Sequence, residues 1–116
     1  MLLEDRDIAL LWDMREACRA VAEFTAGVKY SRFEQDKMLR SAVERQFLIL
    51  GEAARQVSEG FREGHPDVPW KDVAGMRDVL VHDYFGIDAA IVWKTIHEDL
   101  PPLKRRIADI LAAVER

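Results

Sequence analysis

The run Ala42-Val43-Glu44-Arg45-Gln46-Phe47-Leu48-Ile49-Leu50-Gly51-Glu52-Ala53-Ala54-Arg55-Gln56-Val57 decides the fold class. Val43, Phe47, Leu50, Ala54, Val57 and Phe61 recur at alternating steps of four and three, the apolar stripe of an amphipathic helix. Ser31 with Glu34 three residues later has the capping-box form, so this helix is expected to enter through Ser31 and to end near Glu59. Upstream, Leu11, Met14, Cys18, Val21 and Thr25 predict a first helix from about Glu4 to Ala26, stopped at Gly27. Downstream, Gly60, Gly64, Pro66 and Pro69 mark a connection, with no periodic pattern from Arg62 to Val68. Pro69 is suited to open a third helix over Trp70–His82, since a first-turn proline loses no intrahelical hydrogen bond. Gly86 interrupts, and Asp88 can cap a helix whose buried face is Ala89, Val92, Ile96 and Leu100. Pro101 and Pro102 are expected to break the chain before a last helix carrying Leu103, Ile107, Ile110, Leu111 and Val114.

No alternating strand-like run and no repeat appears, so the 116 residues predict one all-α domain, an antiparallel bundle of four to five helices. The hydrophobic fraction of 49% is too high for a disordered chain, and the charged fraction of 33% is too high for a membrane protein. Glu4, Asp5 and Asp7 stand where a secretory signal would be basic, so a cytoplasmic location is expected. The formal charge of −4 argues against a protein that coats nucleic acid through a dominant positive field. The one cysteine, Cys18, lies in an apolar helical stripe and reads as an inert core thiol. Trp12, Phe24, Phe47, Trp70, Trp93 and the methionines read as core or helix-interface residues. His65, His82 and His97 lack the spacing of metal ligands and no glycine-rich phosphate loop is present, so neither a metal nor a cofactor is expected.

Chemistry concentrates in Gly75-Met76-Arg77-Asp78-Val79-Leu80-Val81-His82-Asp83-Tyr84-Phe85. On a helix, Val73, Met76, Leu80 and Tyr84 fall on one side, while Asp78 and His82, four apart, share the side away from the core. Asp78 can orient the His82 imidazole, whose ordinary pKa of ~6.5 suits proton transfer near neutrality. The Arg77 guanidinium can hold a phosphate in a bidentate fork. Arg77 and His82 lie five residues apart, roughly 140° around a regular helix, so one unbroken helix cannot easily bring both to one phosphate. Either the helix ends before His82, or two copies combine their groups across a two-fold axis. The plainest competing reading makes Asp78 and His82 a surface pair and Arg77 a solvated charge.

The pattern Arg77, four residues, His82, one residue, Tyr84 resembles the HepT-like toxins of the HEPN superfamily. Flanking blocks are similar to that family as well: Leu50-Gly51-Glu52-Ala53-Ala54, Pro69-Trp70, Tyr84-Phe85-Gly86-Ile87-Asp88 and Asp99-Leu100-Pro101-Pro102-Leu103. The resemblance implies a HEPN-like bundle forming a homodimer and a metal-independent endoribonuclease with Arg77 and His82 as the active pair. It gives Asp78 an orienting role and makes Tyr84 the acceptor of AMP from a partner minimal nucleotidyltransferase, the antitoxin. Lys37, Arg40 and Arg45 are candidate RNA-binding cleft walls, because the 17 basic residues form no tail. Two other readings are a non-catalytic HEPN module that binds nucleotide or partner, and a bundle that serves only for oligomerisation.

Overall fold

The apolar stripe of the N-terminal segment folds into α1 (Leu3–Thr25), which buries Leu11, Met14, Ala17, Cys18 and Val21. Gly27 stops it with a φ of 71°, a left-handed conformation that a side chain would resist. The architecture is that of a computed structural model, which describes residues 3–82 and 88–114, with side chains over residues 5–76 and 88–114. All regular elements among these residues are helical.

The entry to the long helix differs from expectation. Ser31 lies inside a short helix, α2 (Tyr30–Gln35), whose N-terminal flank Lys29 makes no side-chain cap. The cap of α3 (Lys37–Gln56) is Asp36, whose carboxylate accepts a hydrogen bond from the Leu39 amide at 2.9 Å. An Asp at the junction satisfies an orphan amide of the longer helix, and that outcompetes the serine five residues earlier. α3 buries Val43, Phe47, Leu50, Gly51, Ala53 and Ala54 along one face and ends at Gln56 rather than near Glu59. Ser58 then caps α4 (Glu59–Gly64), a short helix in the stretch expected to be irregular; its hydroxyl accepts from the Phe61 amide.

α5 (Trp70–His82) begins where Pro69 predicts. Asp88 caps α6 (Ala89–Lys94) through the Ala90 amide at 2.9 Å, as expected. α6 passes through a π-helical segment, Thr95–Asp99, directly into α7 (Leu100–Val114). Pro101 and Pro102 therefore do not break the chain. The Leu100 amide reaches back five residues to the Thr95 carbonyl, and this wider turn leaves room for proline rings that would clash in a regular α-helix. The expected interruption at Gly86 lies outside the described residues.

Four long rods thus form the bundle: α1, α3, α5 and the continuous α6–π–α7. α1 runs antiparallel to α3, since Arg6 bonds Gln56 and Asp7 bonds Ser58. The common core draws on all four, including Met14, Phe47, Leu50, Val73, Val92, Leu103 and Ile107. Trp93 joins α6 to α2 by stacking on Phe33 and Tyr30, with ring centroids 5.1 and 5.9 Å apart. Trp12, Phe47 and Trp70 also occupy the core or its margin. Phe24 and Met38 do not: they are 39% and 84% exposed, because each lies off the buried stripe of its helix.

Candidate functional site

α5 is anchored at its start and carries the singled-out residues at its end. Trp70 is buried and its indole N–H donates to the His65 carbonyl at 2.9 Å. The Val73 amide donates to the Pro69 carbonyl, and Val73 packs in the core. Asp72 places a negative charge in the first turn, where the helix dipole favours it. From there the helix is unbroken through Arg77, Asp78 and His82. Residue 77 is four positions beyond Val73 along this helix. Residues 78 and 82 follow the register of Lys71 and Gly75, so positions 77 and 82 remain about 140° apart around the axis. Tyr84 lies outside the described residues.

The Lys71–Gly75 face of α5 borders an open groove of about 500 Å³ between α5 and the α6–π segment. Phe47, Met76, Ile91 and Val92 give it apolar walls, and Lys71, Asp72, Thr95 and Asp99 supply its polar groups. A second cavity of about 280 Å³ continues toward α7 and shares Asp72, Met76 and Asp99 with the first. Its far side is closed by Arg106, whose guanidinium is ion-paired with Asp67. That hydrogen bond holds the exposed Asp67 carboxyl below the usual carboxylate range and raises Arg106.

Of the basic residues proposed as cleft walls, Lys37 and Arg40 lie one turn apart at the start of α3, and Arg45 lies further along it. Lys37 lies in a shallow depression with Arg32 and Asp36. The Arg40 guanidinium donates to the Glu34 carbonyl at 2.6 Å, closing the end of α2. Arg45 lines a separate groove between α1 and α3, with Leu10, Asp13 and Leu48 among its neighbours. Sequence reasoning missed the α5–α6 groove. Its one local signal was Gly75, a glycine inside a helix with nothing within 4 Å of the position its Cβ would take. Among the described residues no group of three or more His, Cys, Asp or Glu is placed to hold a metal ion, and no helix is long and apolar enough to cross a membrane.

Comparison with known proteins adds an independent line. The model of the family described as "Ribonuclease HepT-like" matches residues 14–110. A Methanocaldococcus jannaschii protein provisionally named an RNase is 43% identical over 106 residues, covering 90% of this chain and 97% of that one. A Thermococcus cleftensis protein named "Probable ribonuclease HepT" is 43% identical over 94 residues, covering 81% and 86% of the two chains. A Caldanaerobacter subterraneus subsp. tengcongensis protein, also provisionally named an RNase, is 40% identical over 96 residues, covering 83% and 86%. No solved structure matches the chain significantly. The match spans the bundle from the middle of α1 to the last turns of α7 and includes all of α5, so the chain belongs to the HepT-like ribonuclease family.

Proposed function

We propose that the chain is a metal-independent endoribonuclease whose active site is shared between two copies. The observation that carries this reading is the continuity of α5 through His82. An unbroken helix sets residues 77 and 82 about 140° apart, so one chain does not readily close both on the same phosphate. A two-fold axis beside α5 supplies what is missing by bringing two Arg77 and two His82 to one cleft.

The chemistry follows from these groups. A proton leaves the ribose 2′-hydroxyl, the 2′-oxygen bonds to phosphorus, the bond to the 5′-oxygen breaks, and that oxygen takes a proton. His82 serves these transfers as base or acid, steps in which a positioned side chain contributes about 10²–10⁴-fold. Arg77 holds the phosphoryl oxygens as their charge grows and remains cationic throughout. Asp78, four residues before His82, orients the imidazole and favours its protonated form.

Regulation follows the family resemblance. The chain acts as the toxin of a cytoplasmic toxin–antitoxin pair, neutralised by a minimal nucleotidyltransferase. That partner forms a bond from the Tyr84 phenolic oxygen to the α-phosphorus of ATP and releases pyrophosphate. The AMP then brings a negative phosphate to the site where Arg77 must receive RNA.

RNA cleavage in EDTA by wild type, Arg77→Ala and His82→Ala tests the catalytic reading. Wild type is expected to cut, and both variants to lose at least about a hundredfold. Equal cleavage by wild type and His82→Ala would remove the mechanism, cleavage abolished by EDTA would point to a different chemistry, and no cleavage by wild type would leave a binding module.

A further inference from the structure

We infer that the groove between α5 and the α6–π segment is a base-binding subsite that accepts an unpaired nucleobase bearing an exocyclic amino group. The inference rests on the ribonuclease reading above and deepens it by naming a substrate preference.

Four observations converge on this groove. Its apolar walls, Phe47, Met76, Ile91 and Val92, suit the faces of a planar base, and its volume of about 500 Å³ leaves room for one. Asp72 and Asp99 border it from two different rods, and neither side chain has a hydrogen-bond or ion-pair partner among the described residues. Carboxylates accept from the amino groups of cytosine, adenine or guanine, whereas uracil offers only its N3–H, flanked by two carbonyl oxygens whose lone pairs would face the carboxylates. Gly75 lies in the lining and keeps the Cβ space empty, at a loss of helix stability that no packing neighbour explains. Finally, Gly75 and residue 82 share a line along α5. They are seven positions apart, about 10 Å of helix rise.

Among the described residues, the polar inventory distinguishes a base site from a phosphate site. Two carboxylates without a described partner would repel a phosphate placed inside the groove. Lys71 at its edge can meet the backbone outside, while Arg106 is already engaged by Asp67. The Thr95 hydroxyl donates to the Ile91 carbonyl at 3.0 Å, so toward a ligand it offers only lone pairs, again selecting a donor-bearing base.

The test is cleavage of single-stranded RNA randomised at the positions around the cut, with product ends sequenced for wild type, Asp72→Asn and Asp99→Asn. Wild type is expected to favour an amine-bearing base over uracil at one position beside the cut, and at least one variant to weaken that preference about tenfold. Cleavage with no base preference, or a preference unchanged in both variants, overturns the proposal. Absence of cleavage by wild type would count against the ribonuclease reading instead. Amide NMR titration of the wild-type chain then decides the groove separately. CMP, AMP or GMP should shift Gly75, Ile91 and Thr95 at lower concentration than UMP; no shifts, or equal shifts with UMP, sink the subsite.

Discussion

Asp7 illustrates how a residue's role can be hidden from local sequence. It reads as one of several N-terminal acids, yet it is 3% exposed and its carboxylate accepts from both the amide and the hydroxyl of Ser58, at 2.8 and 2.6 Å. The partners are 51 residues apart, so no periodicity or capping pattern could join them. Asp7→Ala leaves the Ser58 donors unmatched at a partly buried site and is expected to cost about 1–3 kcal/mol in urea unfolding. An unchanged midpoint would mean the latch contributes nothing. Cys18 is the opposite case, correctly legible from its place in an apolar stripe. Burial pushes its thiol from 9.0 up to about 11, with Lys104 opposing weakly. Because the folded value is the higher one, this contribution to stability is complete below pH 9 and is lost as pH rises through about 11. A thiol reagent at neutral pH should label the urea-unfolded chain far faster than the native one; equal rates would contradict the buried thiol.

Elements were legible where a single strong punctuation mark decided them. Pro69 and the stripe that follows define α5, and Asp88 defines the start of α6. The reading failed where two signals competed. Ser31 and Glu34 satisfy the capping-box pattern, but Asp36 caps the longer helix and Arg40 fastens the end of α2. It also failed at Pro101-Pro102, because a π-helical turn is a tertiary accommodation with no local sequence signature strong enough to predict it. Glycine substitutions test these assignments with opposite signs. Gly27 sits at φ 71° in open space, so Gly27→Ala is expected to destabilise by about 1–2 kcal/mol through backbone conformation alone. Gly60 lies within α4 and also faces open space, so Gly60→Ala should stabilise by about 0.5–1 kcal/mol. Thermal unfolding of both variants checks the pair, and shifts of the same sign would contradict the placement of one glycine.

At the scale of the molecule, the four rods build an elongated body with extents of 44 × 29 × 24 Å. The residues proposed to act on RNA divide into two kinds. Arg77, Asp78 and His82 are neighbours in sequence, so their grouping on one helix was readable in advance. The groove beside them was not, because Phe47, Lys71, Asp72 and Asp99 come from three different rods and meet only when the bundle closes. A net charge of −4 likewise fits an RNA-cleaving protein only if positive groups are concentrated locally. Within one chain Arg45 lines a different groove from Lys37, and the proposed assembly of two copies is a means of concentrating charge. The most direct measurement is therefore RNA cleavage by a purified heterodimer of one Arg77→Ala chain and one His82→Ala chain, compared with each variant homodimer. A site shared between copies predicts that the heterodimer, which keeps one Arg77 opposite one His82, rises about tenfold or more above either homodimer. A stable heterodimer no more active than the homodimers would show that each chain needs both of its own groups, and would contradict the shared site.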